Sequence, residues 1–151
     1  MKRTFLCLLL FIGLSCSKTI ETSIPYRRVY LELDLTYQDK VLNTIQAYKI
    51  YTQKNIDQEG ELTGFGGVLV YHGLNSNGSG AFYAFDAACP YEAKSNVCVE
   101  VEESAIYAIC PVCGSKYELL NGFGNPVEGP SEYRLQSYPV TTVGNKIYIR
   151  Y

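Results

Sequence analysis

The sequence predicts an all-β domain, a β-sandwich or small barrel, on three observations. Apolar and polar residues alternate with period two near the start, several short apolar or β-branched segments follow, and Gly and Pro punctuate the chain between them. Val29, Leu31, Leu33 and Leu35 alternate with Tyr30, Glu32, Asp34 and Thr36, the signature of a half-buried strand. Asp39 to Thr44 suits a turn or a short helix, and Ala47 to Thr52 reads as a second strand. Beyond the glycines 64, 66 and 67, Val68 to Tyr71 and Ala81 to Phe85 form a hairpin around the flexible segment Gly73 to Gly80. Shorter strands are expected at Val97 to Val101, Ala105 to Ile109, Lys116 to Leu119, Tyr138 to Val143 and Lys146 to Arg150. The last two are joined by a Gly144-Asn145 turn. No long helical stripe and no internal repeat interrupts this pattern. The 14 tyrosines mostly occupy strand positions, which suits packing better than a sugar-binding platform.

At 151 residues and 47% apolar content the chain is long enough for one hydrophobic core, so one domain is expected. Its first residues stand apart from that domain. Lys2 and Arg3 precede the apolar run Phe5 to Leu14 and then Ser15-Cys16, the charged head and greasy core of a signal peptide, well short of the ~20 apolar residues of a spanning helix. Gly13-Leu14-Ser15-Cys16 resembles the lipobox of bacterial lipoproteins, with Gly13 where that motif usually has Leu. The resemblance implies an exported protein with 1–15 removed, Cys16 lipidated, 16–28 a tether and 29–151 the folded domain. The expected site is the cell envelope, with the lipid anchor as the contact to the membrane. Lys2 replaces the first arginine of the double-arginine pattern, so export of an unfolded, cofactor-free chain is the expected route.

Loss of 1–15 leaves 11 Lys and Arg against 15 Asp and Glu, a formal charge of −4. A mildly acidic domain without a basic stripe lacks the phosphate-neutralising footprint of a nucleic-acid binder. The single histidine, His72, sits in Tyr71-His72-Gly73 at the expected hairpin, where a surface or capping role is expected rather than a place in a Ser/His/Asp or Cys/His catalytic set; no phosphate-cradling glycine loop opens a helix, and no small-molecule substrate is indicated. A binding or electron-carrying module is therefore expected rather than an enzyme.

The chemistry of this chain lies in four cysteines. Cys89 opens Cys89-Pro90-Tyr91 directly after Phe82-Tyr83-Ala84-Phe85-Asp86. Cys110 opens Cys110-Pro111-Val112-Cys113-Gly114-Ser115-Lys116-Tyr117 directly after Ile106 to Ile109. Two Cys-Pro loops launched from strands face each other if those strands pair. Cys110-Pro111-Val112-Cys113-Gly114 is also a metal knuckle, in which Gly permits the tight turn that aims N–H groups at thiolates. Cys89 and Cys98, with eight residues between them, form no second knuckle, so the first loop must fold back to bring Cys98 to a four-thiolate set.

From Gly67 to Tyr151 the chain resembles the Rieske 2Fe-2S iron–sulfur family, in which a Cys-x-His loop and a Cys-x-x-His loop clamp the cluster at one tip of an all-β domain. Phe82 to Pro90 matches the approach to the first loop, Cys110-Pro111 with Gly114-Ser115 matches the second, and Gly129-Pro130 looks like the proline loop over the cluster. The resemblance implies a Rieske-like antiparallel β-sandwich or small barrel with both cysteine loops at one tip, and a possible protein redox partner. It also implies that Ser115 and Tyr117 support a cluster sulfide and a ligand sulfur with their hydroxyls. Tyr91 and Cys113, however, stand where the two ligand histidines belong. The expected ligands are then Cys89, Cys98, Cys110 and Cys113, holding Zn²⁺ or a 2Fe-2S cluster. The alternative is a structural or interaction lipoprotein with no cofactor, its loops closed by Cys89–Cys98 and Cys110–Cys113 disulfides, since an exported domain meets oxidising surroundings.

Overall fold

In the computed structural model, which describes residues 22–151, the chain folds into antiparallel sheets as its sequence predicts. The strands are β1 (Val29–Asp34), β2 (Tyr48–Tyr51), β3 (Leu62–Thr63), β4 (Val68–Leu74), β5 (Gly80–Asp86), β6 (Glu100–Val101), β7 (Tyr107–Ile109), β8 (Lys116–Glu118), β9 (Pro126–Glu128), β10 (Ser137–Tyr138), β11 (Val140–Val143) and β12 (Lys146–Arg150). A 3-10 turn, Lys40–Asn43, fills the segment expected to be a turn or short helix. The signal peptide, Cys16 and the start of the tether lie outside the described residues.

Three four-stranded sheets result, ordered β11-β12-β1-β3, β10-β5-β4-β2 and β6-β7-β8-β9. The middle one is covered on both faces, and this explains the continuous apolar run from Val68 to Tyr71. Val68, Val70 and Ala84 join one core cluster with Leu31, Leu33, Ile147 and Ile149 of the first sheet. Their alternating neighbours Leu69, Tyr71 and Phe85 join a second cluster with Ala108 and Tyr117 of the third sheet. A strand buried on both sides has no polar face to show, so period two disappears from its sequence.

The hairpin tip is tighter than Gly73 to Gly80. β4 runs on through Leu74, and only Asn75 to Ser79 turn, because the Asn75 carboxamide oxygen accepts the Asn77 and Ser79 N–H groups at 3.0 Å each. β3 and β9, two and three residues long, carry no sequence signal of their own. They exist through pairing with β1 and β8. The end of the expected tether packs on the domain, since Ile24 is buried and Ser23 Oγ donates to the Pro90 carbonyl of the first cysteine loop.

Candidate metal centre

The first cysteine loop leaves the inner sheet at the end of β5. There Ala87 N–H donates to the Gly67 carbonyl at 2.9 Å, and Cys89 N–H donates to the Val97 carbonyl at 2.8 Å. The loop doubles back through an isolated Ala88–Cys98 bridge, so Ala88 and Cys98 share a side of this ribbon opposite to the one that Cys89 occupies. The second loop turns between β7 and β8. Its ends are closed by Cys110 N–H to the Ser115 carbonyl at 2.9 Å and Gly114 N–H to the Cys110 carbonyl at 3.0 Å, and Gly114 sits at φ +72°, where a side chain would be strained.

The two loops meet. The sulfurs of Cys89, Cys110 and Cys113 all lie within 4.8 Å of one another, with Cys89 and Cys113 3.6 Å apart. Cys89 and Cys110 are buried and Cys113 is half-buried, so the group forms a pocketed trio with one edge toward solvent. Cys98 is not brought to it. Its thiol donates to the Gly66 carbonyl at 3.2 Å, on the far side of the ribbon. Among the described residues, Cys89, Cys98, Cys110 and Cys113 are free thiols. His72 also stands elsewhere, with Nδ1 2.7 Å from the Leu42 carbonyl and its ring stacked on Phe82. Tyr91 and Val112, at the two loop tips, are 52% and 62% exposed.

Ser115 and Tyr117 both reach the sulfurs. Ser115 Oγ lies 3.2 Å from Cys113 Sγ and accepts the Ser131 N–H at 3.1 Å, while Tyr117 Oη lies 3.4 Å from Cys89 Sγ. The Gly129-Pro130 segment leans on the second loop: a Cβ on Gly129 would stand 2.5 Å from Ser115 Cα. Burial raises the Cys113 thiol pKa, but the Ser115 hydroxyl and N–H, with the neighbouring Cys110 and Cys89, bring it below the ordinary thiol value. Cys110 goes the other way. Burial pushes it up to about 11 against the stabilising Cys113 and Val112 N–H groups. The trio therefore combines one easily ionised thiol with one that ionises readily only when a cation compensates it.

Asp86 supports the site and is not evident from motif spacing. Its carboxylate is fully buried and accepts from the N–H groups of Phe65 at 2.9 Å, Gly66 at 3.0 Å and Ala88 at 2.8 Å, and from the Tyr138 hydroxyl at 2.6 Å. It thereby fixes the backbone one residue before Cys89. The available signal was a single acid closing an apolar strand just ahead of the loop.

A Rieske cluster draws two imidazoles and two thiolates, and the donor set here holds three thiols and no imidazole, so that group does not fit these residues. No family model matches the chain, and no curated protein matches it. Among solved structures it is similar to the cyanobacterial plasma membrane Rieske protein PetC3 from Synechocystis PCC 6803, at 22% identity over 67% of this chain and 82% of that one, with a TM-score of 0.46. It is also similar to the ferredoxin of Sphingomonas yanoikuyae B1, at 18% identity over 64% of this chain and 81% of that one, with a TM-score of 0.40. A third similarity is to a chain in the complex of reduced oxygenase and oxidized ferredoxin in carbazole 1,9a-dioxygenase. There the identity is 14% over 81% of this chain and 93% of that one, with a TM-score of 0.47. The strand-launched Cys-Pro loops, meeting at one tip of an antiparallel all-β domain, make the fold of this chain Rieske-like.

Proposed function

We propose that this chain is an exported, membrane-tethered domain that binds a metal centre through Cys89, Cys110 and Cys113 and acts as a binding or electron-carrying module rather than an enzyme. The convergence of three sulfurs from two loops within 4.8 Å is the observation that supports it. Ser115 and Tyr117 support the sulfurs through hydroxyls that can donate to thiolates. An iron centre held there would supply one-electron exchange, and zinc would brace the two loops. Exposed Tyr91 and Val112 at the loop tips support a protein partner at that end. The tether belongs to the same reading: residues 1–15 are removed and an acylated Cys16 anchors the protein to the envelope.

Protein purified without oxygen and with reductant tests the reading by metal analysis and thiol counting. Cys113→Ala should lose most of the metal and His72→Ala none; metal lost in His72→Ala and kept in Cys113→Ala would refute the assignment. One geometric fact favours a second reading, the 3.6 Å between Cys89 and Cys113 sulfurs. A cofactor-free lipoprotein would then join its two loops through that pair, and native protein would contain the Cys89–Cys113 disulfide in full yield.

A further inference from the structure

We infer that the site holds a single ion on three thiolates with its fourth coordination position open to an outside ligand. This rests on the reading of Cys89, Cys110 and Cys113 as metal ligands. A tetrahedral ion with metal–sulfur bonds of ~2.3 Å sets its sulfurs about 3.8 Å apart, and a trigonal one about 4.0 Å. The Cys89–Cys113 separation of 3.6 Å and the outer limit of 4.8 Å for the trio match that scale. A 2Fe-2S cluster needs a different arrangement, four protein donors in two pairs, one pair on each iron. Here three donors form one group.

No fourth protein donor completes the sphere. Among the described residues no His, Asp, Glu or further Cys joins the trio. Cys98 faces Gly66 on the other side of the ribbon, a consequence of its pairing with Ala88 next to Cys89, and a rotamer change cannot undo that parity. The Ser115 hydroxyl is held by Ser131 N–H beside Cys113, and the Tyr117 hydroxyl lies beside Cys89, so both are disposed as donors to sulfur. Cys113 is the half-buried member of the trio, and Tyr91 and Val112 of the same two loops are exposed, so solvent has its access on the Cys113 side. Three thiolates on a divalent ion leave a charge of −1, which disfavours an anion by Coulomb repulsion and selects a neutral fourth ligand, water or a small neutral nitrogen or sulfur donor. Structural zinc sites are closed, whereas a position left to solvent is the mark of a site that takes an external ligand.

Cobalt(II) is the probe. The reduced full-length protein, titrated with Co²⁺ without oxygen, should bind one ion per chain and show thiolate-to-cobalt charge transfer with the visible bands of a four-coordinate ion. X-ray absorption should count three sulfurs and one oxygen or nitrogen. Imidazole should shift the visible bands while the ion stays bound, and Cys98→Ser should leave stoichiometry and spectrum unchanged. Four sulfurs around cobalt, with one lost in Cys98→Ser, would overturn the open position. Two irons with two acid-labile sulfides per chain from iron-supplemented cells would overturn the single ion. Either result would leave the cysteine metal site standing, whereas no binding of cobalt, zinc or iron at all would remove that reading itself.

Discussion

Replacing Asp86 should damage both the fold and the metal centre, by an amount that can be worked from its four hydrogen bonds. In Asp86→Ala the donors of Phe65, Gly66, Ala88 and Tyr138 lose their acceptor. Phe65 and Gly66 are half-buried, so water can replace the carboxylate there, but Ala88 and Tyr138 are buried. A buried donor left unpaired costs roughly 1–3 kcal/mol, so two of them with partial losses at the other two amount to about 4 kcal/mol, a large share of the ~5–15 kcal/mol of an ordinary domain. Asp86→Asn keeps one acceptor oxygen and should cost about half as much. Guanidinium unfolding of metal-free, reduced protein measures this, and zinc competition should show weakened affinity, since Ala88 N–H aligns the residue before Cys89. An Asp86→Ala protein within about 1 kcal/mol of wild type would refute the claim that this carboxylate anchors the first loop.

Other outcomes are expected on the same physical grounds. Tyr117→Phe removes the hydroxyl beside Cys89 and should lower metal affinity about 10- to 100-fold with little change in fold, as measured by chelator competition. Gly129→Ala places a Cβ 2.5 Å from Ser115 Cα at φ +90°, and it should cost about 2–3 kcal/mol in denaturant unfolding. In metal-free protein, burial raises Cys110 to about 11, Tyr71 to about 12, and Tyr51, Tyr117 and Tyr138 further still. These folded groups hold protons that the unfolded chain releases from about pH 8.5 for thiols and about 10 for phenols. Their contribution to stability is full below those values and lost as pH rises through the folded ones, so the urea midpoint should fall between pH 8.5 and 11. A midpoint that rose over that window would contradict the burial of these groups. Cys16→Ser should release the protein from membranes, and equal membrane fractionation of mutant and wild type would exclude the lipid anchor.

Much of this protein was legible from local pattern. Period two at Val29 to Leu35, the Gly-flanked apolar pairs and the two Cys-Pro openings after strands are properties of neighbouring residues, and they led to an antiparallel β domain with Cys89 and Cys110 at one tip. Cys110 and Cys113 share a knuckle for the same reason, since the two residues between them and the glycine that follows suffice to turn it. What the sequence alone could not decide depends on pairing across long separations. Strand parity is set by register, and the Ala88–Cys98 bridge turns Cys98 away from a trio that spacing alone would have let it join. β3 and β9 are too short to carry a period and form only because β1 and β8 offer free edges. The double-sided burial of Val68 to Tyr71 and the four donors that converge on Asp86 likewise come from segments far apart in the chain, brought together only when the sheets stack.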